Sequence, residues 1–217
     1  MPNTIRPATI RSARTGDVPV IRKLIDANVD SGRLLSKATV TLYEDIQEFC
    51  VAELARDELL DSAGLADSAG LTKSSGLADS GALADSGGLA GAELPEVGVL
   101  AGCGAVHVLW EDLAEIRTVA VRDDCRGRGI GHAVVANLIE RSRALGVARV
   151  FVLTFAVDFF ASHGFTPING TPVAPEVYRE LLRSYDEGVA EFLDLERVKP
   201  NTLGNVRMLM HLTDREK

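Results

Sequence analysis

A glycine-rich loop between a strand and a helix is the feature that most constrains the fold of this chain. The loop reads Arg126-Gly-Arg-Gly-Ile-Gly131. Residues 115–121 before it have the apolar pattern of a strand, and residues 131–145 after it carry apolar side chains at helical spacing. Glycine allows positive φ angles and a close backbone approach to a ligand, and a helix N-terminus presents unpaired N–H groups. With two arginines beside it, this loop predicts a pyrophosphate site.

The spacing of this loop excludes two better-known phosphate-binding motifs. In the dinucleotide fingerprint, the position of the third glycine after Gly127 and Gly129 would fall on His132. A P-loop requires a Lys-Ser/Thr pair after its last glycine, and none follows Gly131. The loop therefore belongs to a different class of anion site.

The rest of the chain alternates between strand and helix patterns, which predicts an α/β fold. Asp17 is predicted to cap the first helix, and Gly146 to end the helix that follows the glycine-rich loop. The predicted strands are residues 8–14, 49–54, 98–110, 115–121, 149–155 and 205–212, and the predicted helices are residues 17–29, 41–48, 131–145, 157–163 and 175–192.

Residues 57–96 form a low-complexity segment that interrupts this alternation. Leucine recurs there at every sixth position, from Leu59 to Leu89. A β-helix of six-residue repeats uses about eighteen residues per turn and needs at least three units, so this run is too short to form one. We therefore expect a flexible insertion at the tip of a hairpin between strands 49–54 and 98–110, with a frayed helix over its first units as the alternative. The whole chain, 1–217, is then a single domain.

The formal net charge of −8 resides almost entirely in that insertion, which holds eight acidic residues and one basic residue and so contributes −7. An acidic balance argues against a nucleic-acid partner. No apolar run approaches the roughly 20 residues of a membrane helix, and no signal-peptide pattern is present. Three widely spaced cysteines match no zinc spacing and suit a reducing cytoplasm. We expect a cytoplasmic protein without a resident metal or a membrane partner.

At Arg126, Gly129 and Gly131 the chain resembles the GNAT superfamily of acyl-CoA-dependent N-acyltransferases. The superfamily loop has the pattern Gln/Arg-x-x-Gly-x-Gly/Ala after a strand, and these three residues fill it. The resemblance extends over residues 4–212, with the repeat as an insertion. It implies a central mixed, mostly antiparallel sheet that is splayed at the CoA site and has helices on both faces.

Within that superfamily the chain is similar to the short-form N-acetylglutamate synthases, which lack an amino-acid-kinase domain. The residues behind this closer resemblance are 115–121, 149–154, and Phe159-Phe160 ahead of His163-Gly-Phe165. It implies that acetyl-CoA is the co-substrate and that the α-amine of L-glutamate is acetylated by direct attack in a ternary complex, the first step of arginine biosynthesis. No Gly-x-Ser-x-Gly nucleophile elbow contradicts a direct attack.

The resemblance also implies which residues bind the cofactor. The backbone of the splayed strand pairs with pantetheine, the glycine-rich loop holds the pyrophosphate, and a residue of the short helix at 157–163 lies against the cofactor. In chain order these residues are Val119, Ala120, Val121, Arg126, Gly127, Arg128, Gly129, Ile130, Gly131 and Phe160.

Two catalytic roles follow from the chemistry, because an ammonium cannot attack and a thiolate must leave. Glu115, at the start of the splayed strand, matches the family position for a base; Glu111, Asp112 and His107 are competitors nearby. Many relatives place a tyrosine in the short helix as the proton donor to the thiolate, where this chain has Phe160. Thr154 is the best substitute as a hydrogen-bond donor, with a bound water as the alternative and a purely structural strand residue as another.

Glutamate carries two carboxylates, so its pocket requires cations, and arginine is best suited to bind carboxylates. Lys37 lies near the loop where the family binds the α-carboxylate, although the family often has Arg-Arg where this chain has Ser36-Lys37. The candidate substrate-binding residues are Lys37, Arg33, Arg117, Lys199 and Arg207.

Other functions remain open at this point. The acceptor could be glutamine or another amine, such as a protein N-terminus, a polyamine or an antibiotic, and a non-catalytic acyl-CoA-binding module is a third class. The expected partner is a small-molecule substrate, and the oligomeric state stays open, with a homodimer as one option.

Deletion of residues 61–91 tests the interpretation of the repeat as a loop. Because long surface loops cost little free energy, we expect turnover and the melting temperature to stay near their wild-type values. Thermal unfolding and a steady-state assay check this. A large fall in melting temperature would show that the repeat packs against the domain.

Overall fold

The computed structural model describes residues 8–30, 34, 36–55, 98–196 and 204–212. The chain divides into two units, one formed by Ala8–Glu53 with Leu100–Lys217 and the other by Met1–Pro7 with Leu54–Val99. The first unit carries the fold described below. Of the second, only residues 54, 55, 98 and 99 are described. The predicted repeat and the candidate residues Arg33 and Lys199 lie outside the described residues.

The described residues form one seven-stranded sheet in the order β1-β2-β3-β4-β5-β7-β6. The β1–β2, β3–β4, β5–β7 and β6–β7 pairs are antiparallel, whereas β4 and β5 run parallel. This confirms the expected mixed, mostly antiparallel sheet. The strands are β1 Thr9–Ser12, β2 Phe49–Leu54, β3 Val99–Trp110, β4 Leu113–Val121, β5 Arg149–Thr154, β6 Thr166–Pro167 and β7 Val206–His211.

Helices cover both faces of this sheet. Cys103 and Ala105 of β3 lie in one buried cluster with Ile21 of the first helix. Gly104, between them, faces Val134 and Leu138 of the helix that follows the glycine-rich loop. Because side chains alternate along a strand, the two helices must lie on opposite faces. The helices are α1 Val18–Asp30, α2 Thr39–Glu44, α3 Ile130–Ala144, α4 Val157–Ala161, α5 Pro175–Leu181 and α6 Glu187–Phe192. None of the described helices is long and apolar enough to cross a membrane.

The prediction of one helix over 175–192 is wrong, because α5 ends at Leu181 and α6 begins at Glu187. Asp186 caps α6, and its side chain accepts the N–H of Val189 at 3.1 Å. An aspartate that captures this N–H competes with a continuous helix. The break places Asp186 and the first turn of α6 beside the central strand β4.

The prediction that Asp17 caps the first helix is also wrong. Asp17 lies in a short 3-10 turn, Thr15–Asp17, where its carboxylate accepts the N–H of Arg14 at 2.7 Å and pairs with Arg11 at 2.7 Å. The arginine partner from β1 could not be recognised from local sequence. The two-residue strand β6 was not predicted either.

The strands β4 and β5 pair over three positions only, from Leu113↔Arg149 to Glu115↔Phe151. Both strands continue beyond this point, so a gap opens between them. β4 has a bulge next to the opening. Cys103 of β3 pairs with Ala120 of β4, and Ala105 pairs with Arg117, so β4 has one more residue than β3 between these two pairs. Thr118, within the bulge, has a φ of 59°, which is unusual for a β-branched residue. The expected splay of the sheet is present.

Candidate active site

The glycine-rich loop precedes α3 and leaves the start of that helix open. Gly127 and Gly129 have φ angles of 74° and 77°, a region that residues with a side chain seldom adopt. The N–H of Ala133 bonds to the carbonyl of Gly129 at 3.0 Å, so the preceding N–H groups of the first turn have no intrahelical acceptor. A Cβ at either glycine would meet no atom within 4 Å. Glycine is therefore needed here for its backbone conformation, and the space above the loop is open to a ligand.

The two arginines of this loop have different surroundings. Arg126 pairs with Asp123 at 2.7 Å and donates to Asn28 Oδ1 at 3.1 Å. Arg128 has a buried Nη1 with no hydrogen-bond partner among the described residues. A buried, unsatisfied cationic donor is costly, so an anion at this position would stabilise the loop. The arrangement suits the phosphates of a CoA molecule.

The gap between β4 and β5 offers a second binding feature. Val119, Ala120 and Val121 lie on the stretch of β4 that β5 no longer pairs, although β3 still pairs Ala120 and Val121 on the other side. The edge of β4 that faces the gap therefore has backbone groups available to an extended ligand, which can bind as an added strand does. This is where the sequence placed the pantetheine contacts.

A cavity of about 590 Å³ opens beside this gap. Its walls come from the segment before α2, from β4, from the end of β5, and from the turn between α5 and α6. Its charged lining includes Lys37, Glu115, Arg117, Asp186, Glu187 and Glu191.

Glu115 is the most unusual group in the cavity. Its residue is 6% exposed, and its Oε2 has no hydrogen-bond partner among the described residues. Burial raises the pKa of Glu115 to about 7, while Arg117 lowers it, Asp186 raises it, and Lys37 and His107 lower it. A carboxylate in this environment can accept a proton near neutral pH, and the residue lines the cavity.

Gly188, in the first turn of α6, makes room for this carboxylate. A Cβ at Gly188 would overlap Oε2 of Glu115 and would stand 2.8 Å from its Cδ. Only glycine fits at this close approach. The sequence prediction missed Gly188, although a glycine two residues after an aspartate, inside an assumed helix, is a signal for a helix break.

Arg117 forms ion pairs with three carboxylates. It bonds to Asp186 at 2.8 Å, to Glu48 at 3.0 Å and to Asp45 at 3.2 Å, and its side chain is 9% exposed. Its Nη1 also lies 3.9 Å from Oε2 of Glu115. The geometry therefore argues against the prediction that Arg117 binds a substrate carboxylate, because its donors are already engaged by the protein.

His107 belongs to the same network of charged side chains. It is the cross-strand neighbour of Glu115, and its Nδ1 lies 2.5 Å from Glu48 Oε1. Its Nε2 lies 3.8 Å from Asp186. The hydrogen bond with Glu48 raises the pKa of His107, which favours the protonated imidazolium.

Two other predicted substrate ligands are described. Lys37 lines the cavity, whereas Arg207 contacts protein groups elsewhere. The Arg207 guanidinium donates to the carbonyl of Phe192 at 3.2 Å and pairs with Asp194 at 3.3 Å. These partners lie at the C-terminal end of α6, where a cation offsets the helix dipole. Arg207 is not among the described lining residues, so its position indicates a structural role.

Thr154 and Phe160 lie close to the gap but do not line the cavity as described. The hydroxyl of Thr154 accepts the N–H of Ala156 at 2.9 Å, while its neighbours Leu153 and Phe155 line the cavity. Phe160 is buried, and its ring packs edge-on against Phe159 at 5.1 Å.

The start of α3 meets Phe159, which the sequence analysis named in the resemblance but did not propose as a cofactor-binding residue. A Cβ at Gly131 would stand 3.4 Å from the Phe159 ring. Since Phe159 and Phe160 are adjacent in the sequence, only the packing decides which ring turns toward the loop.

No group of three metal-ligating side chains occurs among the described residues. The anion loop, the open edge of β4 and the buried carboxylate are instead the parts needed to transfer an acyl group from a CoA thioester to an amine. These features define the class of acyl-CoA-dependent N-acyltransferases.

Comparison with known proteins agrees with this class. The sequence profile of the family described as Acetyltransferase (GNAT) family matches residues 52–165. The chain is 48% identical over 213 residues to the amino-acid acetyltransferase of Mycobacterium tuberculosis, which covers 97% of this chain and 98% of that protein. The chain therefore belongs to the GNAT acetyltransferase family, as the sequence predicted, and it is an enzyme that uses acetyl-CoA as co-substrate.

Two solved structures resemble the fold. The crystal structure of Rv2747 from Mycobacterium tuberculosis in complex with CoA and NLQ has a TM-score of 0.71 at 48% identity, covering 94% of this chain and 99% of that chain. The N-acetylglutamate synthase of Neisseria gonorrhoeae, complexed with coenzyme A and N-acetyl-glutamate, has a TM-score of 0.61 at 20% identity. That likeness concerns the fold alone, over 95% of this chain and 35% of that chain.

Replacement of Gly129 by aspartate tests the anion loop. The new residue would strain a backbone with a φ of 77° and would place a negative charge beside the phosphates. We expect CoA affinity to fall by about 100-fold or more, which corresponds to ~3 kcal/mol. Calorimetric titration with CoA measures the loss.

Gly146→Asp is the matched control, because Gly146 has a φ of 82° and lies beyond the opposite end of α3. It carries the same backbone strain without the proximity to phosphate. Equal losses of CoA affinity in the two variants would contradict the assignment of the loop.

Proposed function

We propose that this protein transfers the acetyl group of acetyl-CoA to the α-amine of L-glutamate, by direct attack in a ternary complex. The observation that carries the proposal is the buried carboxylate of Glu115, which lines the cavity and whose Oε2 has no hydrogen-bond partner among the described residues. An α-ammonium or a bridging water would supply the missing donor. The relative at 48% identity is an amino-acid acetyltransferase, which supports an amino acid as the acceptor.

The proposed reaction begins with removal of a proton from the substrate ammonium. Glu115, in its carboxylate form, takes this proton directly or through a water molecule. The neutral amine then attacks the thioester carbonyl carbon, and the C–S bond breaks as the amide forms. The second proton lost by the nitrogen passes to the leaving sulfur, through the Thr154 hydroxyl or a water molecule. Backbone groups at Val119–Val121 are the proposed donors to the thioester oxygen in the transition state.

The leaving thiolate needs a proton at the end of the reaction. Thr154 accepts the N–H of Ala156 through Oγ1, which leaves its own hydroxyl hydrogen available to donate. A water molecule held near this hydroxyl is the alternative donor. Phe160 cannot take this role, because its ring has no acidic hydrogen.

Lys37 is the proposed ligand of the substrate α-carboxylate, since it lines the cavity and its charge acts on Glu115. With the α-carboxylate at Lys37 and the α-amine at Glu115, the substrate side chain would extend toward the α6 wall. If the acceptor is glutamate, the product has a blocked amine and would enter arginine biosynthesis.

L-Glutamine is a second candidate, favoured by the charge of the cavity. Among the described lining residues, four are acidic and two are basic, and one of the basic residues is Arg117, which is already paired. Glu191, in the α6 wall, is buried. A neutral amide would meet less repulsion at this wall than a second carboxylate would.

A thiol-release assay compares L-glutamate, L-glutamine, L-lysine and spermidine as acceptors. We expect glutamate or glutamine to support thiol release well above the rate of acetyl-CoA hydrolysis, and lysine and spermidine to be poor acceptors. The ratio of kcat/KM for the first two decides between the two candidates. The proposal fails if none of the four raises thiol release above hydrolysis.

Replacement of Glu115 by glutamine tests the base. We expect kcat/KM to fall by about 100- to 10,000-fold, the usual contribution of a general base. Because the pKa of Glu115 is raised to about 7, the wild-type kcat/KM should rise with pH below 7 and level off above it, as the carboxylate form becomes populated. This rise of kcat/KM with pH, the acid limb of the profile, should disappear in the variant. Retention of both rate and limb would exclude Glu115 as the base.

A further inference from the structure

The turn that begins α6 meets the proposed base directly. Gly188 lies against the end of the Glu115 side chain, and Asp186 lies two residues before it. We propose that Asp186 and Gly188 are positioning residues, which hold the carboxylate of Glu115 in place and keep Arg117 from closing onto it. This inference rests on the proposed role of Glu115 as the base.

The position of Gly188 defines where the carboxylate can lie. A Cβ at this residue would overlap Oε2 of Glu115 and would also stand 3.0 Å from Oδ1 of Asp186. The two carboxylates thus approach the same small space, which a side chain at 188 would fill. With any residue other than glycine at this position, the Glu115 carboxylate has to leave the position that it occupies in this structure.

Asp186 restrains Arg117, a cation that could neutralise Glu115. Its Oδ2 holds Nη1 of Arg117 at 2.8 Å, while its Oδ1 accepts the N–H of Val189 at 3.1 Å. The same Nη1 is 3.9 Å from Oε2 of Glu115, too far for a hydrogen bond. Without the Asp186 carboxylate, Arg117 could bond to Glu115 and occupy the oxygen that the substrate needs.

Charged groups from several elements face Glu115, and each contributes to its proton affinity. Arg117 on β4, His107 on β3 and Lys37 before α2 favour the carboxylate form, whereas Asp186 opposes it. Removal of the Asp186 charge removes the repulsion and releases Arg117 toward Glu115. Both effects lower the pKa of Glu115, so a weaker base remains, ionised at a lower pH.

Asp186→Asn is the first test. Asparagine is as good a helix N-cap as aspartate, so α6 should still form while the charge is lost. We expect the acid limb of kcat/KM to move to lower pH by about one unit and the plateau to fall by about tenfold. CoA affinity, measured by calorimetry, should stay near the wild-type value. Glu176→Gln, an exposed carboxylate on α5, is the control and should leave the limb in place.

Gly188→Ala is the second test, combined with Glu115→Asp in a double-mutant cycle. In the wild-type background the alanine should lower kcat by about 100-fold, because the base is displaced. In the Glu115→Asp background the shorter side chain leaves room for the methyl group, so the same alanine should cost only about threefold or less. Gly16→Ala is the matched control, since a Cβ at Gly16 meets nothing within 4 Å.

The outcomes separate this inference from the proposed function. Full activity in Glu115→Gln would refute the base itself. The positioning role alone would be refuted by a different combination of results. In that case Glu115→Gln loses activity, but the acid limb of Asp186→Asn does not move and the effects in the Gly188 cycle are additive. If Gly188→Ala fails to fold by thermal unfolding, the limb of Asp186→Asn decides the question.

Discussion

The short parallel pairing of β4 and β5 is the constraint on which the rest of this structure depends. The two strands share three paired positions, the last being Glu115 with Phe151, and then diverge. In a parallel sheet the lost pairing would leave unsatisfied backbone groups, which is costly unless a ligand or water pairs them. The opening therefore leaves one edge of β4 unpaired beside the cavity, and Glu115 lies at the last paired position.

A buried ion network holds the elements around this opening. Arg117 joins β4 to Asp45 and Glu48 after α2 and to Asp186 before α6. Charges taken out of water require partners, so the loss of one member would leave the others uncompensated. Arg141 of α3 donates to the backbone carbonyls of Gln47 and Glu48, so the helix that follows the anion loop also supports the network.

Local patterns predicted the parts of the site that lie close together in sequence. The glycine-rich loop, the helix α3 and the strand with Glu115 were identified because their signals, positive-φ glycines and apolar periodicity, are local. The prediction of a single helix over 175–192 was wrong, because the Asp186 side chain accepts the N–H of Val189 and so caps a separate helix. Arg117 and Arg207 were expected to bind substrate, but their partners in this structure come from segments distant in sequence, which no spacing rule identifies.

The sequence by itself determined the family and the cofactor class and identified the residue proposed as the base, because loop spacing and strand patterns express those properties directly. Only the tertiary structure decided what surrounds that base. Burial raises the pKa of Glu115, Gly188 admits its carboxylate, and Asp186 holds Arg117 away from it. These effects arise from contacts between residues more than 60 positions apart along the chain. Desolvation and steric exclusion depend on such contacts, and composition or periodicity does not encode them.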